Sequence, residues 1–341
     1  MNERSALVIR GMPGSPYTRK MVALLRYRRI PYRLVLGGHG VHPGLPAAKV
    51  ELLPTVYFET PRGELEAVVD STPIIRRLEA EWPDRHVVPP DPVVAFVDEL
   101  LEDFADEWLT KAMFHYRWHY AADIDKAGEI LPRWADTAAP EETMRARKAF
   151  ICERQIGRLY VVGSNDTTAP IIEASYRRTL GLLRDYFEGS HFLLGERPGS
   201  ADFATYGQLT QLAAFDPTPT ALALAEAPRV VAWVQVVEDL SGLDVGEDDW
   251  LGRDELVMLR PLFAELGRGY APVMLANNAA LQSGREKVET RVDGASWVQQ
   301  PFPYQARCLQ WLRASYARLD TDDRLAVNAL LRGTGAESLF A

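Results

Sequence analysis

Residues 11–20, Gly-Met-Pro-Gly-Ser-Pro-Tyr-Thr-Arg-Lys, restrict the fold more than any other stretch of this chain. The run before them, Ala6, Leu7, Val8 and Ile9, is apolar and of strand length, as expected for a short buried strand. It enters a loop rich in Gly and Pro, and the loop opens directly into an amphipathic helix. Ser15 with Pro16 behind it matches an N-cap followed by proline at the first helical position. A hydroxyl held there lies among unpaired backbone N–H groups at the positive end of a helix dipole, a place that suits an anion such as a thiolate. Helix capping alone also accounts for Ser15.

The alternation continues. Along the helix Tyr17, Met21, Leu24 and Leu25 share a face, whereas Arg19, Lys20, Arg26 and Arg28 lie elsewhere. Residues 30–36 read as a second strand after a proline break. Residues 37–45, with four glycines and a proline, read as a loop. A third strand over 53–59 begins at Pro54, and a turn at 61–63 leads to a fourth over 65–69. Asp70, Ser71, Thr72 and Pro73 open another helix, with Ile74, Ile75 and Leu78 inward and Arg76 and Arg77 outward. Residues 82–92 read as a proline-rich linker.

Beyond the linker the pattern is helical. Residues 93–122 form one long amphipathic run in which Phe96, Leu100, Phe104, Trp108 and Met113 recur near helical spacing. Asp98, Glu99, Glu102, Asp103, Asp106 and Glu107 read as a solvated face or a subunit contact. His115 and His119 stand at i and i+4, a spacing that could bind zinc, but no third ligand can be assigned. An aromatic, polar wall over a cleft and plain core packing compete for the same residues. Further helices are expected over 141–160, 170–187 and 228–240. At 199–202 a capping box opens a buried helix, with Asp202 as the acidic member and Gly199 in the usual Ser/Thr position. Residues 250–341 keep enough apolar and aromatic content to be folded. Their centre, 294–305, reads as a loop before a helix bearing Cys308, Leu309, Leu312 and Tyr316.

Composition narrows the function. With 341 residues the chain has room for two domains and an added module. A net charge of −9 without a dense basic run argues against a nucleic-acid partner. No apolar run reaches membrane-span length, and the N-terminus has no signal-peptide pattern, so a soluble cytoplasmic protein is expected. Two cysteines, Cys152 and Cys308, argue against a disulfide framework or a cysteine zinc site.

The order βαβ then ββα, with Ser15-Pro16-Tyr17-Thr18-Arg19-Lys20, the Leu53-Pro54 step and the Asp70-Ser71 pair at those places, resembles the glutathione S-transferase superfamily. The resemblance implies an α/β thioredoxin-like N-terminal domain (1–83), a linker (84–91), an all-α C-terminal domain (92–245) and a mostly helical extension (246–341). It implies binding of reduced glutathione, with Ser15 donating to the sulfur. A cis Leu53-Pro54 step would offer the Leu53 backbone to the cysteinyl part, and Asp70 and Ser71 would grip the γ-glutamyl end. Tyr17 and Thr18 are weaker thiolate partners. Tyr17, His115, Tyr116 and His119 would line the site of a small hydrophobic electrophile. Leu52 stands where the family often has a basic residue, so the role of the nearby Lys49 is left open. No metal is expected, a homodimer is, and redox chemistry is not, since neither cysteine lies near the loop. The reading is thus a detoxification-type transferase. Its alternative is a non-catalytic glutathione-binding or scaffolding protein of the same fold.

Overall fold

The structure, a computed structural model, describes residues 5–37 and 42–341; part of the loop expected at 37–45 lies outside the described residues. Four strands, β1 (Leu7–Gly11), β2 (Tyr32–Leu36), β3 (Thr55–Glu59) and β4 (Leu65–Val69), form a sheet in the order β2-β1-β3-β4. β1 is parallel to β2, so the chain must cross over between them, and α1 (Pro16–Tyr27) is that crossover. β3 runs antiparallel to both β1 and β4. Every residue of β1 is buried, the apolar Leu7–Ile9 as expected and also Arg10, whose guanidinium donates to Thr55 Oγ1 at 2.9 Å. α2 (Ser71–Glu81) then buries Ile74, Ile75 and Leu78.

The helical part begins with α3 (Pro92–Phe104), whose first two free N–H groups donate to the Asp91 carboxylate at 2.9 and 3.1 Å. It continues through α4 (Thr110–His119), α5 (Ala121–Ala135), α6 (Glu141–Ile156), α7 (Ala169–Tyr186), α8 (Ser200–Leu212), α9 (Pro217–Glu226) and α10 (Pro228–Val237). α8 packs directly on α1. At Gly207 a Cβ would lie 2.5 Å from the Pro16 carbonyl oxygen, so only glycine permits this approach. One continuous apolar core therefore joins the sheet to the helices. Among the described residues no single helix is long and apolar enough to cross a membrane.

Three expectations change. The run expected as a single helix over 93–122 is interrupted by a π-helical turn, Ala105–Leu109, and stops at His119. The wider turn carries Asp106, Glu107, Trp108 and Leu109 inward together. The acidic face expected to be solvated is instead largely interior: Asp98 and Glu102 are fully buried. Their partners, Lys20 and Ser200, come from α1 and α8, far away in sequence. The third change is at 294–305 of the mostly helical extension, where the expected loop is largely taken up by a strand. After α11 (Arg260–Glu265) and α12 (Ala271–Gln282) comes a hairpin of β5 (Val288–Val292) and β6 (Ala295–Gln299), ahead of α13 (Pro303–Arg318) and α14 (Thr321–Leu331). Asp293 (φ 54°) and Gly294 (φ 75°) make its turn, the Asp-Gly pair that a two-residue hairpin loop favours.

The extension folds back on the helical part. Trp297 of β6 packs against Trp108 at 5.4 Å between ring centroids, and Phe340 against Phe96 at 5.2 Å. The Gln305 side-chain amide donates to the Glu107 carbonyl at 3.1 Å.

Candidate functional site

Ser15 lies at the start of α1 with an extended backbone, which aims its side chain at the helix's first free N–H groups. Its Oγ accepts the Thr18 N–H at 3.2 Å and donates, at a long 3.4 Å, to the Leu53 carbonyl. The peptide between Leu53 and Pro54 is cis. Ser15, the open end of α1 and the Leu53 backbone thus meet at one point. The two neighbouring hydroxyls are committed elsewhere. Thr18 is buried, its Oγ1 accepting the Met12 N–H. Tyr17 donates to the Asp106 carbonyl at 2.8 Å, and burial, with the Glu107 and Asp106 charges, pushes its pKa well up. Of the three, Ser15 is the one left with a weak, displaceable bond.

Asp70 has φ 80° and ψ 116°, a conformation that non-glycine residues rarely take and that costs about 1–3 kcal/mol. Its Oδ2 accepts the Tyr304 hydroxyl at 2.7 Å. Burial raises its pKa, against which Tyr304 and Lys20 act. Ser71, the first residue of α2, is 5% exposed, and its Oγ accepts from Lys20 at 3.0 Å, leaving its own proton free to donate.

Lys20 is the hub beneath this pair. Its ammonium donates to Asp106 Oδ2 at 2.6 Å and Glu102 Oε1 at 2.7 Å. Burial opposes the charge, but the two carboxylates outweigh it and hold the proton well above the usual lysine range. Burial would raise Glu102 too, yet Lys20 and Arg76 hold it down at about 2.

A proton is stored one step further in. The Ser200 hydroxyl is 2.5 Å from Asp98 Oδ2 and 2.9 Å from Glu102 Oε2. One hydroxyl proton cannot serve both oxygens, so a carboxyl must donate one of these bonds. Burial and the Glu102 charge push Asp98 up to about 7, which makes Asp98 the carboxyl that holds the proton. Asp98 Oδ1 accepts the Ala201 N–H at 2.9 Å, supplying the acceptor that Gly199 lacks at the start of α8. Asp202 completes the cap by accepting the Gly199 and Leu193 N–H groups, each at 2.9 Å.

His115, Tyr116 and His119 point toward another part of the helical layer. His115 is buried, its ring nitrogens bonded to Ser164 at 2.8 Å and Glu173 at 3.1 Å. Tyr116 packs on Tyr176 and Tyr120, and His119 is exposed, stacked on His115. These contacts run toward α7, whereas the α4 face that meets the serine loop carries Thr110 and Arg117, the latter donating to the Gly14 carbonyl at 2.9 Å. Lys49 is exposed. Among the described residues no group of three or more His, Cys, Asp or Glu is placed to hold a metal.

Two family models match the chain: Glutathione S-transferase, N-terminal domain, over residues 10–86, and Glutathione S-transferase, C-terminal domain, over residues 142–240. The chain belongs to the glutathione S-transferase superfamily. Its α/β sheet unit and helical unit are those of that superfamily, and residues 241–341 lie beyond both matches. Solved glutathione transferases resemble it remotely. One from Burkholderia graminis, with two glutathione molecules bound per subunit, is 16% identical with a TM-score of 0.43, over 72% of this chain and 92% of that one. A family member from Pseudomonas fluorescens with two glutathione bound is 14% identical with a TM-score of 0.41, over 70% and 95%. Glutathione transferase E6 from Drosophila melanogaster is 20% identical with a TM-score of 0.39, over 69% and 87%. No curated protein matches the chain.

Two residues of this candidate site in the glutathione S-transferase fold escape sequence reasoning, Lys20 and Tyr304. Lys20 does leave a trace: it stands four residues after Pro16 and four before Leu24, on a buried line of α1. Tyr304 leaves none, because its partner is 234 residues away.

Proposed function

We propose that this protein binds reduced glutathione across Ser15, Leu53, Pro54, Asp70 and Ser71 and conjugates its thiolate to a small hydrophobic electrophile. The observation that carries the reading is the convergence at Ser15 of a half-exposed hydroxyl, a helix N-terminus and the Leu53 carbonyl 3.4 Å away. A thiol docked there loses its proton to solvent. The thiolate then takes the Ser15 hydrogen bond in place of Leu53, aided by the α1 dipole. It attacks the electrophilic carbon, forms the C–S bond and expels the leaving group with its electron pair. At the other end the ligand's ammonium pairs with Asp70, and its carboxylate takes the Ser71 proton and the N–H groups opening α2.

One observation favours a second reading, a glutathione-binding or scaffolding protein without turnover. The Tyr304 hydroxyl of α13 already occupies Asp70, the carboxylate that the ligand's ammonium would need. The experiment is a glutathione titration by calorimetry, paired with conjugation of a chloronitrobenzene, for the wild type and Ser15→Ala. Turnover that falls about a hundredfold in Ser15→Ala with binding kept supports the transferase, since a lost hydrogen bond to an anion is worth up to roughly 3 kcal/mol. Binding without turnover on a broad electrophile panel supports the scaffold. No binding at millimolar glutathione refutes both.

A further inference from the structure

On the outside of the domain junction, away from Ser15, a cavity of about 1280 Å³ opens between the end of α2, residues 82–90 and the segment 244–250. Five arginines line it: Arg28, Arg29, Arg76, Arg85 and Arg197. That is unexpected in a chain of net charge −9. Three carboxylates share the wall, Glu79, Asp84 and Asp244. Glu79 is taken, bonded to Arg28 at 2.7 Å and to the His86 ring at 2.7 Å.

The other guanidiniums find mostly neutral partners. Arg29 donates to the Ser241 carbonyl at 2.7 Å. Arg85 donates to the carbonyls of Tyr27, Leu243 and Leu240. Arg197, 6% exposed, donates to the carbonyls of Gly246 and His86, each at 2.8 Å, with its plane over the Trp250 ring. Arg76 is the exception, since it faces the Glu99 and Glu102 carboxylates, each at 3.8 Å. A carbonyl satisfies an N–H but does not cancel a charge. Burial, and then the nearby Arg29 and Arg197, lower the Arg85 pKa although Tyr27 and Asp244 act against them. Backbone strain gathers here as well: Arg29 and Arg85 both have φ 54°, the left-handed region that side chains avoid.

We propose that this cavity is a binding site for a small multivalent oxyanion, a phosphate-bearing or polycarboxylate molecule, separate from the Ser15 site. Guanidinium forks bond such groups two oxygens at a time, and an anion there supplies the charge that the carbonyls do not. The volume accommodates a metabolite-sized ligand, and Trp82, Val88, Pro90 and Trp250 give it an apolar wall. The reading does not depend on glutathione chemistry.

Calorimetric titration of the full chain with pyrophosphate and, separately, with citrate, at ionic strength fixed by sodium chloride, tests it. Arg29→Asn is the informative variant, because asparagine tolerates the left-handed backbone and the change removes one exposed guanidinium. Single-site binding by either anion, weakened about tenfold in Arg29→Asn with an unchanged melting temperature, is expected from the loss of one charged hydrogen bond. The stronger of the two anions identifies the ligand's chemistry. If neither binds at millimolar concentration, or if Arg29→Asn binds as the wild type does, the arginines are only fasteners between the domains and the proposal is overturned. Loss of glutathione binding in Arg29→Asn would also count against it, since the two sites are separate.

Discussion

Asp98→Asn isolates the proton stored between α3 and α8. In the folded protein the Asp98 carboxyl keeps its proton up to about pH 7, against 3.8 for an ordinary aspartate. Between those values the folded chain binds a proton that the unfolded chain does not, so stability falls as pH rises through this window. Each pH unit there changes the unfolding free energy by about 1.4 kcal/mol, and the step from pH 5 to pH 8 removes about 2.5 kcal/mol. The amide mimics the protonated acid: its oxygen can accept the Ala201 N–H while its NH₂ donates to Ser200 Oγ. Asp98→Asn therefore erases this contribution and leaves the variant the more stable protein at pH 8. Guanidinium chloride unfolding of both proteins at pH 5, 6.5 and 8, followed by far-UV circular dichroism, reads out the difference. Asp103 and Asp106, which burial pushes up to about 7 and about 6, bend both curves alike, whereas Asp202, which burial and then the Asp98 charge push up to about 8, adds to the difference between them. Parallel curves for wild type and variant would refute the protonation of Asp98, and with it the reading of the Ser200 contacts.

Gly199→Ala places a Cβ 2.5 Å from Asp98 Oδ1, so thermal or chemical unfolding is expected to show a loss of about 1–3 kcal/mol, alanine also being a poorer N-cap than glycine. An unchanged stability would mean that the carboxylate can move aside. Tyr304→Phe removes the hydroxyl that donates to Asp70 at 2.7 Å, and glutathione, whose ammonium would claim the same oxygen, is expected to bind about tenfold more tightly by calorimetry. Equal or weaker binding would show that Tyr304 does not compete with the ligand.

The elements legible in the sequence are those set by local signals. Ser15 with Pro16 fixes the start of α1, Asp70 to Pro73 the start of α2, and the turn at 61–63 the β3–β4 hairpin. The β5–β6 hairpin was equally local: Asp293-Gly294 sits between alternating runs, and its signal lay in plain view. The acidic stretch of α3 and its π-helical turn were not legible, because helical periodicity reports which residues share a face but not what lies opposite. Lys20, Ser200, Tyr270 and Ser315 make Asp98, Glu99, Glu102, Asp103 and Asp106 affordable inside, and none of them is a sequence neighbour. The site divides in the same way. Ser15 and the Leu53–Pro54 step are read from their own neighbours, whereas the hold of Tyr304 on Asp70 depends on chain return over the whole length of the protein.

Lys20 sets a timetable for the nascent chain. It leaves the ribosome 82 and 86 residues ahead of Glu102 and Asp106, about 4–17 s at synthesis rates of 5–20 residues per second. Late in that interval, once β4 has emerged, the sheet has all its strands, but an ammonium group stands where the finished protein is dry. The first domain must hold α1 ajar, wet along its Lys20 face, until the acidic helix arrives, and Gly207 of α8 reaches the Pro16 carbonyl later still. Maturation of the serine loop is thus a late event, tied to the emergence of the second domain rather than to the completion of the first.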